Sequence, residues 1–334
     1  MKALVYTDTQ KLEYQNFNDP NLKNGESIIK VSASGICGSD MHAYHGKDER
    51  RIPPLILGHE ISGLIKEGIN IGKKVVLNPL ITCGNCEYCN SDREHLCKSR
   101  VLLGMNRPTE RQGGFAELVS VPNKNIYELP ERLDINKAPI SEPTAVALHA
   151  VELGESNLKK KINDCRALVI GGGAIGLLSA LILEKIKNCG EIYLTEPNTK
   201  RGEVCSNNLK SKCLKPSDKL IVENSFDLVI DSVGLEATRQ AAIKFIKPGG
   251  TIIHIGLTQP SGVFDFRKAT LQEITFIGTY CYTNKDFEKT IELLSTNKLG
   301  DLNWIEYREL SKGAEAFKQI HDGTCPAPKI ILIP

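Results

Sequence analysis

The sequence predicts an α/β protein of two domains, in which a central domain with a parallel sheet is inserted into a β-rich domain made from both chain ends. The length of 334 residues favours two domains, with a single large barrel as the main alternative. Up to about residue 125, short β-branched runs broken by Gly, Pro and Asn are typical of strands. From about residue 137, strand and helix signals alternate, as they do in the βαβ units of a parallel sheet.

The predicted elements follow in chain order. The N-terminal segment has strands at 27–32, 61–66, 74–77 and 116–121. The central segment has a helix at 145–153, strands at 167–170, 191–195, 227–231 and 251–255, and helices at 176–187 and 237–245. These strands are short continuous apolar runs, which is expected of strands buried on both faces. Helices at 286–295 and 312–322 and a strand at 329–333 end the chain. We expect one domain over 1–143 and 278–334 and the other over 144–277.

Charge and composition exclude several classes of protein. The chain has 42 Lys plus Arg against 40 Asp plus Glu, a net charge of +2, and 41% hydrophobic residues, which is ordinary globular composition. We expect neither a nucleic acid nor a membrane as a partner. The apolar run 167–183 is long enough to consider as a transmembrane helix. Its glycines favour a strand, a tight turn and a helix instead.

Eleven cysteines are the unusual feature of the composition. Four of them lie within fifteen residues, and the other seven are scattered without a pairing pattern. An odd total with scattered single cysteines suits a reducing compartment. The N-terminus turns polar before a targeting segment can form, so we expect a cytoplasmic protein.

The cysteine cluster has the pattern Cys83-x2-Cys86-x2-Cys89-x7-Cys97. Four thiolates at such spacings can surround one tetrahedral zinc ion, and a complete set of four leaves no open position for a substrate. The pattern therefore predicts a structural zinc site, in a lobe at 80–100. An iron–sulfur cluster and chance clustering are the alternatives.

A second, looser set of residues suits a catalytic zinc. Cys37 lies in a glycine-rich turn, His59 stands beside Glu60, and Glu142 lies where the β-rich segment meets the α/β segment. Three protein ligands and one open position are the usual catalytic arrangement. Taken singly, these residues have ordinary explanations, since a Glu before Pro143 often begins a helix and a lone His is usually structural.

The third motif, Gly171-Gly172-Gly173-Ala174-Ile175-Gly176, follows a predicted strand and opens a predicted helix. In a dinucleotide site the first glycine permits a tight turn, the second lets the backbone approach the pyrophosphate, and the third lets the helix pack on the strand. Glu196 follows the motif by twenty residues, where an acid can bind the adenosine ribose hydroxyls. Because an acid repels a 2′-phosphate, we expect NAD rather than NADP, with Arg201 also at the adenosine end.

These three motifs, in this order, resemble the zinc-dependent medium-chain alcohol and polyol dehydrogenases over essentially the whole chain. The resemblance implies a GroES-like catalytic domain built from both chain ends and a central Rossmann domain with a doubly wound parallel sheet. It implies a structural zinc on the four clustered cysteines and a catalytic zinc on Cys37, His59 and a third ligand, Glu142, with Glu60 as an alternate ligand or a supporting residue. It implies a proton relay through Ser39 and His42.

The same resemblance implies which residues line the nicotinamide. They follow the ends of Rossmann strands or lie where the chain re-enters the catalytic domain: Val233, Gly234, Ile255, Gly256, Leu257, Thr279 and Tyr280.

The resemblance also bears on the substrate. Glu142 stands where ethanol-type relatives commonly have Cys, which favours the sorbitol, iditol, idonate and galactitol-phosphate dehydrogenases. Two residues depart from the sorbitol type, because Cys281 replaces a usual Arg and Ala43 separates His42 from Tyr44. We expect reversible oxidation of a secondary alcohol, in a polyol or sugar-derived compound, with NAD.

Other activities stay open at this point. Threonine dehydrogenase and simple alcohol dehydrogenase are the enzymatic alternatives. A zinc-free reductase that resembles quinone reductases and an NAD-binding protein without turnover are the others. Relatives form homodimers or homotetramers, and we expect one of these states.

Overall fold

The N-terminal third of the computed structural model, which describes residues 1–334, is built mostly from short strands. Its elements are β1 (Lys2–Asp8), β2 (Lys11–Asn16), β3 (Glu26–Gly35), α1 (Gly38–Tyr44), β4 (Leu55–Ile56), β5 (Glu60–Glu67), β6 (Lys74–Leu77), β7 (Leu80–Ile81), β8 (Val101–Leu102), β9 (Leu118–Pro122) and β10 (Ile126–Glu128). Short 3₁₀ turns connect several of them.

Strands and helices alternate in the central part of the chain. Its elements are α2 (Ser141–Ser156), β11 (Arg166–Ile170), α3 (Ala174–Lys185), β12 (Glu191–Thr195), α4 (Thr199–Asn208), β13 (Lys212–Leu214), β14 (Phe226–Asp231), α5 (Glu236–Phe245), β15 (Ile246–His254), α6 (Phe266–Leu271) and β16 (Thr275–Gly278). The chain ends with α7 (Asn284–Ser295), β17 (Ile305–Glu309), α8 (Gly313–His321) and β18 (Lys329–Ile333).

The two chain ends share one sheet. Its seven strands run β10-β6-β5-β3-β18-β17, with β9 also paired to β3. The C-terminal strand β18 lies antiparallel beside β3, where Ile331 is opposite Gly35. A three-stranded sheet, β2-β1-β4, and the small pair β7-β8 complete this domain.

The central sheet has six parallel strands in the order β13-β12-β11-β14-β15-β16. Counted from β11, this is the doubly wound order 3-2-1-4-5-6, so the strand order reverses between β11 and β14. Ligands of such sheets bind at the carboxyl ends of the strands at that point. The predicted fold class, a β-rich domain with an inserted parallel sheet, is confirmed. The exact domain boundaries stay a prediction.

One hydrophobic core extends through both domains. It contains Ala33 and Ile331 of the seven-stranded sheet, Val169 and Ile253 of the parallel sheet, and Leu148 of α2, all fully buried. Helix α2 is shared because it packs against α3 on one side and α7 on the other. Because α2 is packed against helices of both domains, its burial fixes their relative orientation.

Some local predictions need correction. The segment around Cys37, expected to be a glycine-rich turn, begins helix α1, and Cys37 is its N-cap residue. Strands β1 and β2 were not predicted; β2 has only two apolar residues among charged and amide ones, whereas β1 carries the apolar run 3–6. The apolar run 167–183 forms β11 and α3. No helix of the structure is long and apolar enough to cross a bilayer.

Candidate functional site

The four clustered cysteines converge in the loop between β7 and β8. Their sulfur atoms all lie within 4.8 Å of one another. The Cys86 and Cys89 sulfurs are 3.5 Å apart, those of Cys97 and Cys83 are 3.5 Å apart, and those of Cys83 and Cys89 are 3.9 Å apart. Four sulfurs at zinc-ligand distance would be separated by about 3.8 Å, so the set fits a tetrahedral ion.

Hydrogen bonds in this lobe lower the pKa of the Cys83 and Cys86 thiols, whereas burial raises that of Cys89 to about 11. The backbone N–H of Asn85 bonds to the Cys83 thiol and lowers its pKa to about 6. A thiol that ionises readily is a better metal ligand, because the thiolate is the ligating form. All four cysteines are free thiols in the structure.

A second cluster forms where α1, β5 and β18 meet. The Cys37 sulfur, a His59 nitrogen and a Glu60 oxygen lie within 4.8 Å of one another. Helix α1 positions Cys37, because its sulfur accepts the Ser39 N–H at 3.5 Å. His59 and Glu60 are adjacent at the start of β5, and both are buried. The donor set of thiol, imidazole and carboxylate suits zinc.

Asp40 was not predicted as a site residue, yet it orients this cluster. Its Oδ2 accepts the Cys37 N–H at 3.0 Å, and its Oδ1 lies 3.5 Å from His59 Nδ1. Both Asp40 Oδ1 and His59 Nδ1 are buried and have no hydrogen-bond partner. Because a carboxylate beside one ring nitrogen is the usual support for a metal-binding His, the other nitrogen is left for a cation. The C-x-x-D spacing of a capping box was the available sequence signal.

Glu60 is held by a cation from the far end of the chain. Lys329 Nζ, on β18, donates to both Glu60 carboxylate oxygens, at 2.6 and 2.8 Å, and to the Ile36 carbonyl at 2.8 Å. Space for the Glu60 carboxylate depends on Gly35, since a Cβ there would lie 1.9 Å from Glu60 Oε2. Lys329 could not be found from sequence, because its partner is 269 residues away.

Glu142 lies in the first turn of α2 and is buried. Burial raises the pKa of its carboxyl to about 7, with His59 opposing the shift and Glu60 adding to it. Glu60 has a cation partner and Glu142 has none. The charge balance therefore favours Glu142 as the ligand that a metal ion would neutralise, although Glu60 is the acid grouped with Cys37 and His59. The choice between the two stays a prediction.

The glycine motif lies at the strand-order reversal, between β11 and α3. Gly171 has a φ of +100°, and a Cβ there would lie 2.4 Å from the Val233 side chain. A Cβ at Gly176 would lie 1.8 Å from the Gly171 carbonyl oxygen, whereas one at Gly173 would meet nothing within 4 Å. The first and third glycines are thus required by packing, and the second leaves the backbone open to a ligand at the helix N-terminus.

A cavity of about 800 Å³ extends from this turn to the metal cluster, and we call it the cofactor cavity. Eight of the predicted cofactor-binding residues line it, five of them on the glycine turn and the start of α3: Gly171, Gly173, Ala174, Ile175, Gly176, Glu196, Arg201 and Val233. Cys37, Glu60 and Lys329 line its other end. The cavity therefore joins the nucleotide-type turn to the metal-type cluster.

Glu196 and Arg201 lie at the far end of the cofactor cavity. The two Glu196 oxygens accept the N–H groups of Gly172 and Asn198, each at 2.8 Å. Arg201 donates to the Cys325 carbonyl at 2.9 Å, and its Nη1 is 4.0 Å from Glu196. The carboxylate is thus held at the edge of the glycine turn, where a ribose would bind.

A second cavity of about 350 Å³, the substrate cavity, opens beside the cluster. Its walls include Cys37 and His59 from the metal cluster, Glu142 from α2, and Ser39 and His42 from α1. The predicted nicotinamide residues Val233, Ile255, Gly256, Leu257, Thr279 and Tyr280 line it, together with Cys281.

Gly234 lines neither cavity. It has a φ of +77°, and a Cβ there would lie 2.1 Å from the Gly256 carbonyl oxygen. Asp231, which was not predicted, accepts the N–H groups of Val233 and Gly234 at 3.0 Å and so holds this turn. Gly234 therefore supports the cavity wall by close packing.

Two family models match the chain, and they cover different parts of it. The model described as "Alcohol dehydrogenase GroES-like domain" matches residues 23–131, and the model described as "Zinc-binding dehydrogenase" matches residues 174–296.

Named proteins and a solved structure also match. A 2-dehydro-3-deoxy-L-galactonate 5-dehydrogenase of Pseudoalteromonas atlantica is 29% identical over 82% of both chains. A probable D-xylulose reductase A of Neosartorya fischeri is 25% identical over 96% of this chain and 94% of its own. A short chain alcohol dehydrogenase of Escherichia coli CFT073, complexed with NADH, has a TM-score of 0.87 at 23% identity, covering 100% of this chain and 99% of its own. That structural match concerns the fold.

The two cysteine sites should respond differently to substitution. We expect Cys86→Ser to remove one metal ion per chain and to lower the unfolding temperature, because the lobe loses a cross-link among its loops. Cys37→Ser should abolish alcohol oxidation with a much smaller change in unfolding temperature. Metal content by mass spectrometry, thermal unfolding and activity measured on both variants test this. An equal loss of stability in the two variants would contradict the division.

Glu196 should determine the choice of dinucleotide. We expect Glu196→Ala to lower the preference for NAD over NADP, measured as the ratio of kcat/KM values, by about tenfold or more, because the repulsion of a 2′-phosphate is lost. Glu203→Ala, at an exposed acid on the following helix α4, is the control and should leave the ratio unchanged. An unchanged ratio in Glu196→Ala would reject the assignment.

Proposed function

Since the chain belongs to the zinc-dependent medium-chain alcohol and polyol dehydrogenases, we propose that it oxidises a secondary alcohol of a polyol or sugar-derived compound to a ketone, with NAD as the hydride acceptor. The observation that carries the proposal is the position of Cys37, which lines both the cofactor cavity and the substrate cavity. A metal held at Cys37 would lie next to an alcohol bound in the substrate cavity and to the nicotinamide of a cofactor bound in the cofactor cavity. The two named relatives act, by their names, on a sugar acid and on a ketose.

Metal and cofactor have distinct parts in this reaction. Bound zinc would supply a Lewis acid that lowers the pKa of the alcohol hydroxyl, and NAD would accept the hydride. Cys37, His59 and either Glu142 or Glu60 would hold the zinc. The glycine turn, Glu196 and Arg201 would hold the dinucleotide.

The chain's own residues would move the proton. Ser39 lies beside Cys37, and its Oγ accepts a hydrogen bond from Arg51 Nη2 at 3.3 Å, so its own hydroxyl hydrogen is free to pass onward. Burial, with the positive charge of Arg51, lowers the pKa of His42, so its imidazole is neutral at pH 7 and can accept that proton. The apolar walls of the substrate cavity, which include Leu102, Met105 and Val146, exclude water.

We also propose a homodimer or homotetramer in a reducing compartment such as the cytoplasm. All eleven cysteines are free thiols, which suits a reducing compartment. Strand β16 is an edge strand paired only with β15, and large apolar side chains near it are exposed. Val263, Phe266, Leu271 and Phe276 are 63%, 73%, 71% and 45% exposed. An unpaired edge with such a patch is typical of an interface between subunits.

The activity can be tested with a substrate panel on metal-loaded enzyme. We expect NAD reduction with polyols or sugar-derived secondary alcohols, and two zinc ions per chain. Faster turnover of threonine or of short secondary alcohols would favour threonine dehydrogenase or a simple alcohol dehydrogenase. Metal-free active enzyme would favour a reductase of the quinone type, and NADH binding without any turnover would reject the enzymatic proposal.

The interface can be tested by one substitution. We expect Phe266→Glu to shift the protein toward monomer, because a carboxylate placed in the apolar patch would have to be buried between subunits. The control is Ile71→Glu, at a residue that is 68% exposed in another part of the chain. Sedimentation velocity at several concentrations measures both variants. A wild-type monomer, or an unchanged oligomer in Phe266→Glu, would contradict the proposed interface.

A further inference from the structure

The mouth of the substrate cavity has a group of cations from the turn that follows α1. Lys47, Arg50 and Arg51 all line the cavity. Lys47 and Arg50 are exposed, whereas Arg51 is buried. The Lys47 backbone N–H bonds to the His42 carbonyl at 2.8 Å, which ties this turn to the relay residue. The Lys47 side-chain amine has no hydrogen bond or ion pair within the chain.

One carboxylate serves two of these cations. Asp48 accepts from Arg50 Nε at 3.0 Å and Nη2 at 3.2 Å, and from Arg51 Nη1 at 2.6 Å. Other Arg51 donors go to Gly104 and Ser39. Four of the five Arg51 N–H donors are therefore used in holding the loop and Ser39. Asp48 fixes the Arg50 guanidinium at the cavity and leaves its Nη1 free.

The cavity holds no other charge that would neutralise these cations. Glu142 is the one carboxylate among its lining residues, and it is the predicted third zinc ligand. Glu49, the next residue in the turn, is exposed and does not line the cavity. Three cations against Asp48 leave an excess of two positive charges.

We propose that the substrate is an anionic polyol derivative, whose carbinol reacts at the Cys37 cluster while a carboxylate or phosphate group at its other end binds Lys47 and Arg50. Both groups are oxyanions that accept charge-assisted hydrogen bonds from ammonium and guanidinium groups. Arg50, already oriented by Asp48, presents a planar donor at little cost in side-chain entropy. The inference rests on the proposed function and names the substrate class for the same site.

A matched set of substrates tests the inference on metal-loaded enzyme with NAD. The set is a series of hexitols, the hexonates of the same configurations and the hexitol monophosphates. We expect kcat/KM for at least one anionic class to exceed that of the matched neutral hexitol by about tenfold or more, the effect of one charged hydrogen bond. The class that is preferred identifies the anion as a carboxylate or a phosphate.

Substitutions then locate the recognition. We expect Lys47→Gln to raise KM for the anionic substrate about tenfold with a much smaller change in kcat. The reason is that the contact stabilises the bound substrate and the transition state equally. Arg50→Gln should act in the same direction, and added salt should raise the wild-type KM for the anion. Lys298→Gln, an exposed lysine in the turn after α7, is the control and should change neither constant.

The outcomes separate this inference from the function it rests on. Neutral hexitols oxidised as well as the anionic compounds, or equal effects of Lys47→Gln on both classes, would overturn the inference while the dehydrogenase activity stands. A failure to oxidise any alcohol with NAD or NADP would overturn the proposed function itself. Lys47 is exposed and its amine makes no hydrogen bond or ion pair within the chain, so Lys47→Gln tests recognition even if Arg50→Gln does not fold.

Discussion

The buried ion pair between Glu60 and Lys329 is the interaction on which the site depends. Glu60 begins β5 and Lys329 begins β18, so the pair joins the N-terminal and C-terminal parts of the chain beside Cys37. Both side chains are almost fully buried. Breaking such a pair by removing one partner typically costs about 3–5 kcal/mol, because the other charge is left without compensation. The pairing of β18 with β3 brings Lys329 to Glu60, and the absence of a side chain at Gly35 leaves space for the Glu60 carboxylate. These three features therefore depend on one another.

Because of this pair, the two buried acids, Glu60 and Glu142, differ in whether their charge is already neutralised. A carboxylate that already has a cation needs no metal for neutralisation, while a buried carboxyl without one is destabilised in its charged form. Glu60 is the first kind and Glu142 the second. Both cavities reach Cys37. The charges beside a zinc ion bound there would therefore come from Glu60, from Lys329 near the other chain end, and from Glu142 on α2.

Much of this could be predicted from local sequence. The glycine turn and the four-cysteine loop are set by short-range spacing, and the structure brings each set together as the spacing requires. Residues that act through distant partners could not be predicted. Lys329 and Asp231 have no distinguishing neighbours in the sequence, since their roles come from sheet pairing and from a turn held by buried hydrogen bonds. Cys37 was predicted as a zinc ligand, and the structure places it with His59 and Glu60. The helix that it caps was not predicted, because a seven-residue helix has too few residues for a periodic pattern.

The pairing of β18 with β3 has a consequence for synthesis of the protein. The parallel sheet is a continuous stretch of chain, so it can fold on the ribosome once its last strand has emerged. The other domain cannot close its sheet until Lys329 has been added to the chain, 269 residues after Glu60. At about 5–20 residues per second, that interval is roughly 15–50 seconds. Throughout it, Cys37, His59 and Glu60 are already present in the growing chain, while the lysine that holds Glu60 has not yet been added.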